Sequence, residues 1–278
     1  MVVRNNDLRQ VDSGTIWLPP NASLANMAIP KLHETSLTKL YDLGTKFTYN
    51  DKVFRYCRAD SGGILNPQYG AGNKNDIAIS YTTLSYPDAD ATTVAAAVGA
   101  TSVYVVKASA TKDEYKGGHI VVGHNSDSTI QNRGILGNDA AATIAGVSNV
   151  VKIDLDFPLQ TALVAGTSGV EVWKSIYSNV KKADTGYFGI VCVPCVYQAT
   201  NAQEYFWGQT WGPAYLTAAA TGYGASEGER TLTFNKEGAL TDLYTQLHTN
   251  GFAFQIAGYL ISHDQGDDLT FIMLTIAP

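Results

Sequence analysis

The stretch that most limits what this chain can become runs from Gly186 to Thr217, GYFGIVCVPCVYQATNAQEYFWGQTWGPAYLT. Aromatic, β-branched and small residues fill two segments, Tyr187 to Tyr197 and Glu204 to Gln209, on either side of the polar run Gln198 to Gln203. This pattern predicts two strands joined as a hairpin. If Glu204 to Trp211 is extended, alternate side chains face opposite ways. Tyr205, Trp207, Gln209 and Trp211 then share one face and Phe206 and Thr210 the other, with Gly208 as a gap. The first face is a hydrophobic anchor. Gly212-Pro213 is expected to end the strand, because proline has no amide hydrogen for a ladder bond.

Strand-like segments recur through the rest of the chain. The clearest hairpin is Thr45 to Arg58, turning at Asn50-Asp51, followed by a strand over Asp76 to Leu84. Further strands are expected at Ser102–Lys107, His119–Val122, Ile130–Leu136, Val150–Asp156, Gly169–Trp173 and Arg230–Phe234. Two last ones, Phe252–Ser262 and Asp268–Ala277, flank the turn His263–Asp267. Short strands at this cadence, separated by glycine-, serine- and asparagine-rich turns, argue for a mainly β protein. The expected form is an antiparallel sandwich or barrel-like body with an extended N-terminal arm. Helical spacing or alanine content suggests short helices at Ser36–Tyr41, Ala89–Ala100 and Ala239–His248. The arm is residues 1–43, where Pro19, Pro20 and Pro30 oppose a long helix. Its Trp17, Leu18, Ile29 and Leu32 need burial, on their own body or on a neighbouring subunit. The charged linker Tyr177 to Asp184 is the expected boundary between β-rich domains at 44–180 and 181–278, which can also pack as one body.

With 278 residues, 45% of them hydrophobic, the chain can bury a sizeable core. Only 16% are charged, against about 25% in ordinary soluble domains. A net charge of −6 and a pI near 5.3 give no electrostatic footprint for nucleic acid or an anionic membrane, so neither is an expected partner. No apolar run approaches the roughly 18 residues of a membrane helix, and the start MVVRNNDLRQVDSG lacks the apolar core of a signal peptide, so a soluble, leaderless protein is expected. Three cysteines do not suggest a disulfide framework, and a reducing site of synthesis fits.

Reactive constellations are few. Gly224-Ala-Ser226-Glu-Gly228 matches the G-x-S-x-G nucleophile elbow, with Asp242 and His248 or His263 following in hydrolase order. The elbow needs a strand before it and a helix after it, whereas Gly222-Tyr-Gly224 precedes and the strand-like ERTLTF follows; the serine reads better as a turn residue. Cys192-Val-Pro-Cys195 has redox or zinc spacing, but three positions apart in a strand face opposite sides, and only Cys57 remains to complete a site. Buried thiols are the expectation. His119 and His124 lack a metal-ligand spacing, Asp154 and Asp156 read as a solvated strand face, and Asp264, Asp267 and Asp268 lack the spacing of a calcium loop. No enzyme activity, cofactor or metal is expected.

Several stretches together resemble virion structural proteins of tailed bacteriophages, of the capsid decoration or cement type. They are Leu43-Gly-Thr-Lys-Phe47 with Val53-Phe-Arg-Tyr56, Val151-Lys-Ile-Asp-Leu155, Pro158-Leu-Gln-Thr-Ala-Leu163, Tyr177-Ser-Asn-Val180, Phe206 to Pro213, and Ile256-Ala-Gly-Tyr-Leu260. The resemblance implies a β-rich homotrimer on the outer capsid surface, made in the bacterial cytoplasm, that clamps major capsid protein subunits without catalysis. Trp17, Leu18, Tyr205, Trp207 and Trp211 are then the expected interface anchors, since buried aromatics dominate interface energies. The alternative is a carbohydrate-binding or host-receptor module, because exposed Trp and Tyr on a β scaffold also suit sugar stacking.

Overall fold

The computed structural model describes the chain except residues 1–7, 12–13, 18–29, 74–76, 84–95, 125–129, 145, 165–167, 183–188, 199–202, 220–229, 244–254 and 263–268. The described residues are almost all antiparallel β. In chain order the first strands are β1 (Leu8–Val11), β2 (Gly14–Trp17), β3 (Lys46–Tyr49), β4 (Lys52–Arg58) and β5 (Ala71–Asn73). Next come β6 (Ile77–Thr83), β7 (Ser102–Val106), β8 (His119–His124), β9 (Gln131–Asn138), β10 (Ala142–Ile144), β11 (Val147–Leu155) and β12 (Ser168–Trp173). The last are β13 (Val180–Lys182), β14 (Gly189–Pro194), β15 (Tyr205–Thr217), β16 (Thr231–Phe234), β17 (Leu240–Asp242), β18 (Ile256–Leu260) and β19 (Leu269–Thr275).

The chain parts into two compact units, Met1–Asn75 with Ile176–Pro278, and Asp76–Ser175. Each owns one sheet. The inserted unit holds a 7-stranded sheet in the order β10-β11-β9-β8-β12-β6, with β7 on β11. Alternation decides its core. Ile153 and Leu155 of β11, Val103 and Val105 of β7, Ile120 and Val122 of β8, and Val170 and Val172 of β12 are all buried together. Between the buried positions of β11, Lys152 and Asp154 point outward and pair at 2.9 Å, both about 40% exposed, which makes Asp154 part of a solvated strand face.

The discontinuous unit holds a 12-stranded sheet, β1-β2-β3-β4-β15-β19-β18-β16-β17, with β14 joining β15 to β5 and β13. The hairpin at Asn50-Asp51 forms as expected, with Tyr49 opposite Lys52 and Asn50 at φ 52. Beyond β17 the sheet curls back on itself. Leu240 makes a parallel bridge to Ala218 and accepts a hydrogen bond from the Ala219 amide at 2.8 Å, so β15-β19-β18-β16-β17 is nearly a closed barrel. Its interior is Ala214, Leu216, Leu232, Phe234, Leu240, Ala257, Ile272 and Leu274, plugged from β14 by Ile190 and Val193.

Three sequence expectations change here. Leu240–Asp242 is strand rather than the start of a helix, because Leu240 to Asp242 pair with Phe234 to Leu232; residues 244–248 lie outside the described part. Ser36–Tyr41 is bends and a bridge, since the Ser36 amide donates to the Tyr205 carbonyl at 3.0 Å and Tyr205 returns the bond at 2.8 Å. Of Ala89–Ala100 only the end is described; Ala96 bridges Leu163 and the turn at Gly99 has φ 85, neither of which is helical.

β15 corrects a fourth. It runs 13 residues, straight through Gly212-Pro213. Gly212 has φ 98, and a Cβ there would overlap the Asp51 carbonyl oxygen, so glycine both bends the strand and admits the β3–β4 turn against it. Pro213 is tolerated because it lies past Trp211, the last β15 residue that β4 pairs, so that edge has no ladder bond to lose. Three carbonyls at the bend, Trp211, Gly212 and Pro213, all accept from Gln209 Nε2 at 3.0–3.2 Å.

Candidate functional site

β15 is where the site begins. Its first half, Tyr205 to Gln209, is paired on both edges, by Arg58 to Phe54 of β4 and by Val193 and Pro194 of β14. Trp207 is 2% exposed and packs against Tyr41, Phe47 and Tyr56 at ring separations of 5.2, 5.9 and 5.1 Å. Phe206 is fully buried on the opposite face with Cys57, Leu65, Val180 and Cys192. Burial holds the Tyr41 and Tyr56 phenols up to about 12. Leu32, Tyr41 and Leu43, from the end of the arm, thus settle on this chain's own body.

The expected anchors separate accordingly. Trp207 is core. Tyr205 is half-buried, stacked on Tyr56 at 5.7 Å with the Arg58 guanidinium 5.8 Å from its ring centre. A bulge between Gln209 and Trp211 sets two β15 steps against one of β4, so the shared face expected for four residues stops at Gln209. Trp17 belongs to β2, opposite Leu8 and Lys46, with its side chain outside the described part; Leu18 lies outside it altogether.

The second half of β15 pairs with β19 and exposes what the first half hides. Cross-strand partners share a face. The rows Trp211/Thr275, Pro213/Met273/Tyr259/Thr231, Tyr215/Phe271 and Thr217/Leu269 therefore all point away from the barrel core. Ile261 continues the Tyr259 side of the sheet. None of these residues is charged. Tyr215 is 60% exposed, Tyr259 53%, Ile261 43% and Leu269 36%, and Tyr215 stacks on Phe271 at 4.4 Å. No sequence signal distinguished this ribbon from the core, because both halves of β15 alternate large apolar residues.

Beside the ribbon, next to the Gly212 bend, lies a half-open cavity of about 570 Å³. Its walls include the β3–β4 turn (Tyr49 to Lys52), Val193 to Cys195, Gln209, Pro213 to Tyr215, Phe271 and His33. His33 Nδ1 lies 3.1 Å from the Cys195 carbonyl oxygen, which only accepts, so Nδ1 carries the proton of that hydrogen bond.

The cysteines divide as the strand geometry requires. Cys192 is buried in one core and Cys195 packs beside the other. Cys192 Sγ meets Cys57 Sγ at 3.8 Å, a contact possible because Gly208 leaves the space; a Cβ there would collide with the Cys192 side chain. The Cys57 contact and burial hold the Cys192 thiol well above its usual value, and burial pushes Cys195 up to about 12. All three are free thiols. Among the described residues no three His, Cys, Asp or Glu side chains gather as metal ligands, and no helix is long and apolar enough to cross a membrane. Asp242 lies buried in β17, while Ser226, His248, His263, Asp264, Asp267 and Asp268 fall outside the described part.

No protein-family model, curated protein or solved structure matches the chain.

Proposed function

We propose that this is a non-enzymatic virion structural protein that binds the outer surface of a tailed-phage capsid as a homotrimer and holds neighbouring major capsid protein subunits together. The observation that carries the reading is the uncharged ribbon of Tyr215, Phe271, Met273, Tyr259, Ile261 and Leu269 on a rigid, internally packed barrel wall. Contiguous exposed apolar side chains mark association surfaces, and large aromatics give most energy per residue there. The phage assignment rests on the sequence resemblance. A protein that binds only the assembled shell adds its binding free energy to that state, and repetition around the shell multiplies modest contacts.

The test is addition of purified protein to empty expanded capsids of the phage that encodes it. Cosedimentation and a raised capsid melting temperature are expected. Tyr259→Ser with Ile261→Ser should abolish both while moving the protein's own unfolding free energy by no more than about 1 kcal/mol, because the side chains are half in water already. A monomer that ignores its capsid would end the proposal.

A further inference from the structure

We infer that the cavity at the Gly212 bend is a binding site for a neutral saccharide. Three features of its walls agree on that ligand class. Its volume, about 570 Å³, falls in the range of roughly 300–1,000 Å³ over which proteins enclose small molecules. Tyr215 offers a ring already fixed on one side by Phe271, at 4.4 Å and 19° between planes, yet 60% exposed. Such a braced ring loses little freedom when a second flat, weakly apolar face, such as the C–H face of a pyranose, lies on it. Opposite stands the β3–β4 turn with the exposed Asn50 and Asp51, which supply an amide and a carboxylate, both able to engage vicinal hydroxyls in pairs. His33, held by its Nδ1 hydrogen bond to the Cys195 carbonyl, adds a fixed imidazole to the wall.

Charge narrows the class further. Asp51 and Lys52 are adjacent and opposite in sign, and apart from His33 the other cavity-lining residues carry no formal charge. Phosphates and carboxylates find no net cationic field here, whereas hydroxyls need none. The floor is also stiff: Gln209 is 8% exposed with its amide nitrogen bound to three carbonyls, and Gly212 packs against the turn that carries Asp51. The site therefore exists before any ligand arrives. It shares Tyr215 and Phe271 with the docking ribbon, whereas Tyr259 and Ile261 are not part of its wall, so substitutions there act on docking alone.

The experiment is saturation-transfer NMR on the full chain with lactose, maltotriose and N,N′-diacetylchitobiose as probes, and inorganic phosphate as the charged competitor. At least one sugar should receive saturation at its ring protons, phosphate should not compete, and Tyr215→Ala and Asp51→Asn should each weaken binding by about threefold to tenfold. Both positions are exposed, so both variants fold; their near-ultraviolet circular dichroism should match the parent apart from the lost Tyr215 ring. Tyr259→Ser should leave sugar binding intact while it impairs capsid cosedimentation, which separates the two readings. No transfer to any of the three sugars, binding indifferent to both cavity variants, or displacement by phosphate would each overturn the inference.

Discussion

The two halves of β15 carry similar aromatic residues to opposite fates. Before the bend, Trp207 is sealed by Tyr41, Phe47 and Tyr56; after it, Tyr215 stands 60% exposed on Phe271. The difference is in the neighbours. β4 ends its pairing at Trp211, and the arm segment that bridges Ser36 to Tyr205 reaches only the first half. A strand's alternation says which side chains share a face, but the elements that cover that face decide whether it is core or surface. The bend at Gly212 divides the two regimes, and the cavity lies beside it.

The comparison predicts unequal costs. Trp207→Ala should lose about 3–5 kcal/mol of stability in urea unfolding, since it removes a buried ring with three aromatic neighbours. A loss near that of a surface change would mean the first half is not core. Gly212→Ala should cost about 1–3 kcal/mol from its φ of 98 alone, and more from overlap with Asp51, with a lowered melting temperature as the readout. Alkali should act on the sealed half. In the unfolded chain Tyr41 and Tyr56 release their protons near their ordinary value of about 10, whereas the folded chain keeps them until about 12. The unfolded state then binds fewer protons across that window, so stability is full below pH 10 and falls as pH rises toward 12. Tyr41→Phe should flatten the fall in a pH series of unfolding midpoints; an unchanged slope would show that burial there is overstated. The smallest effect belongs to Tyr215→Ala, about 0.5–1.5 kcal/mol from the lost stacked pair, measurable only by chemical denaturation.

Much of the fold was legible. The Asn50-Asp51 hairpin, the β15 anchor and the opposite facing of Cys192 and Cys195 follow from period two and turn chemistry, which are local. The errors were local rules outvoted by distant partners. Leu240 falls on a helical stripe with Leu243, Tyr244 and Leu247, yet β16 lay beside Leu240 to Asp242 with an edge to fill. Gly212-Pro213 reads as a stop, and it continues because β19 holds one edge while the other is empty. The boundary at Asp76 left no compositional mark, since what joins residues 1–75 to 176–278 is the pairing of β4 with β15 across some 150 positions of sequence.

The sequence by itself determined that this chain would be antiparallel β, that Trp207 would anchor it, and that Cys57 and Cys192 would be buried thiols, with Cys195 partly so. Those follow from side-chain period, size and polarity, which each residue carries wherever it goes. Only the tertiary structure decided that Cys192 faces Cys57, that the barrel nearly closes through the Leu240–Ala218 bridge, and that an uncharged aromatic ribbon lies past Gly212 with a cavity beside it. Exposure is a property of what packs alongside, and for β15 the packing partners come from both ends of the chain.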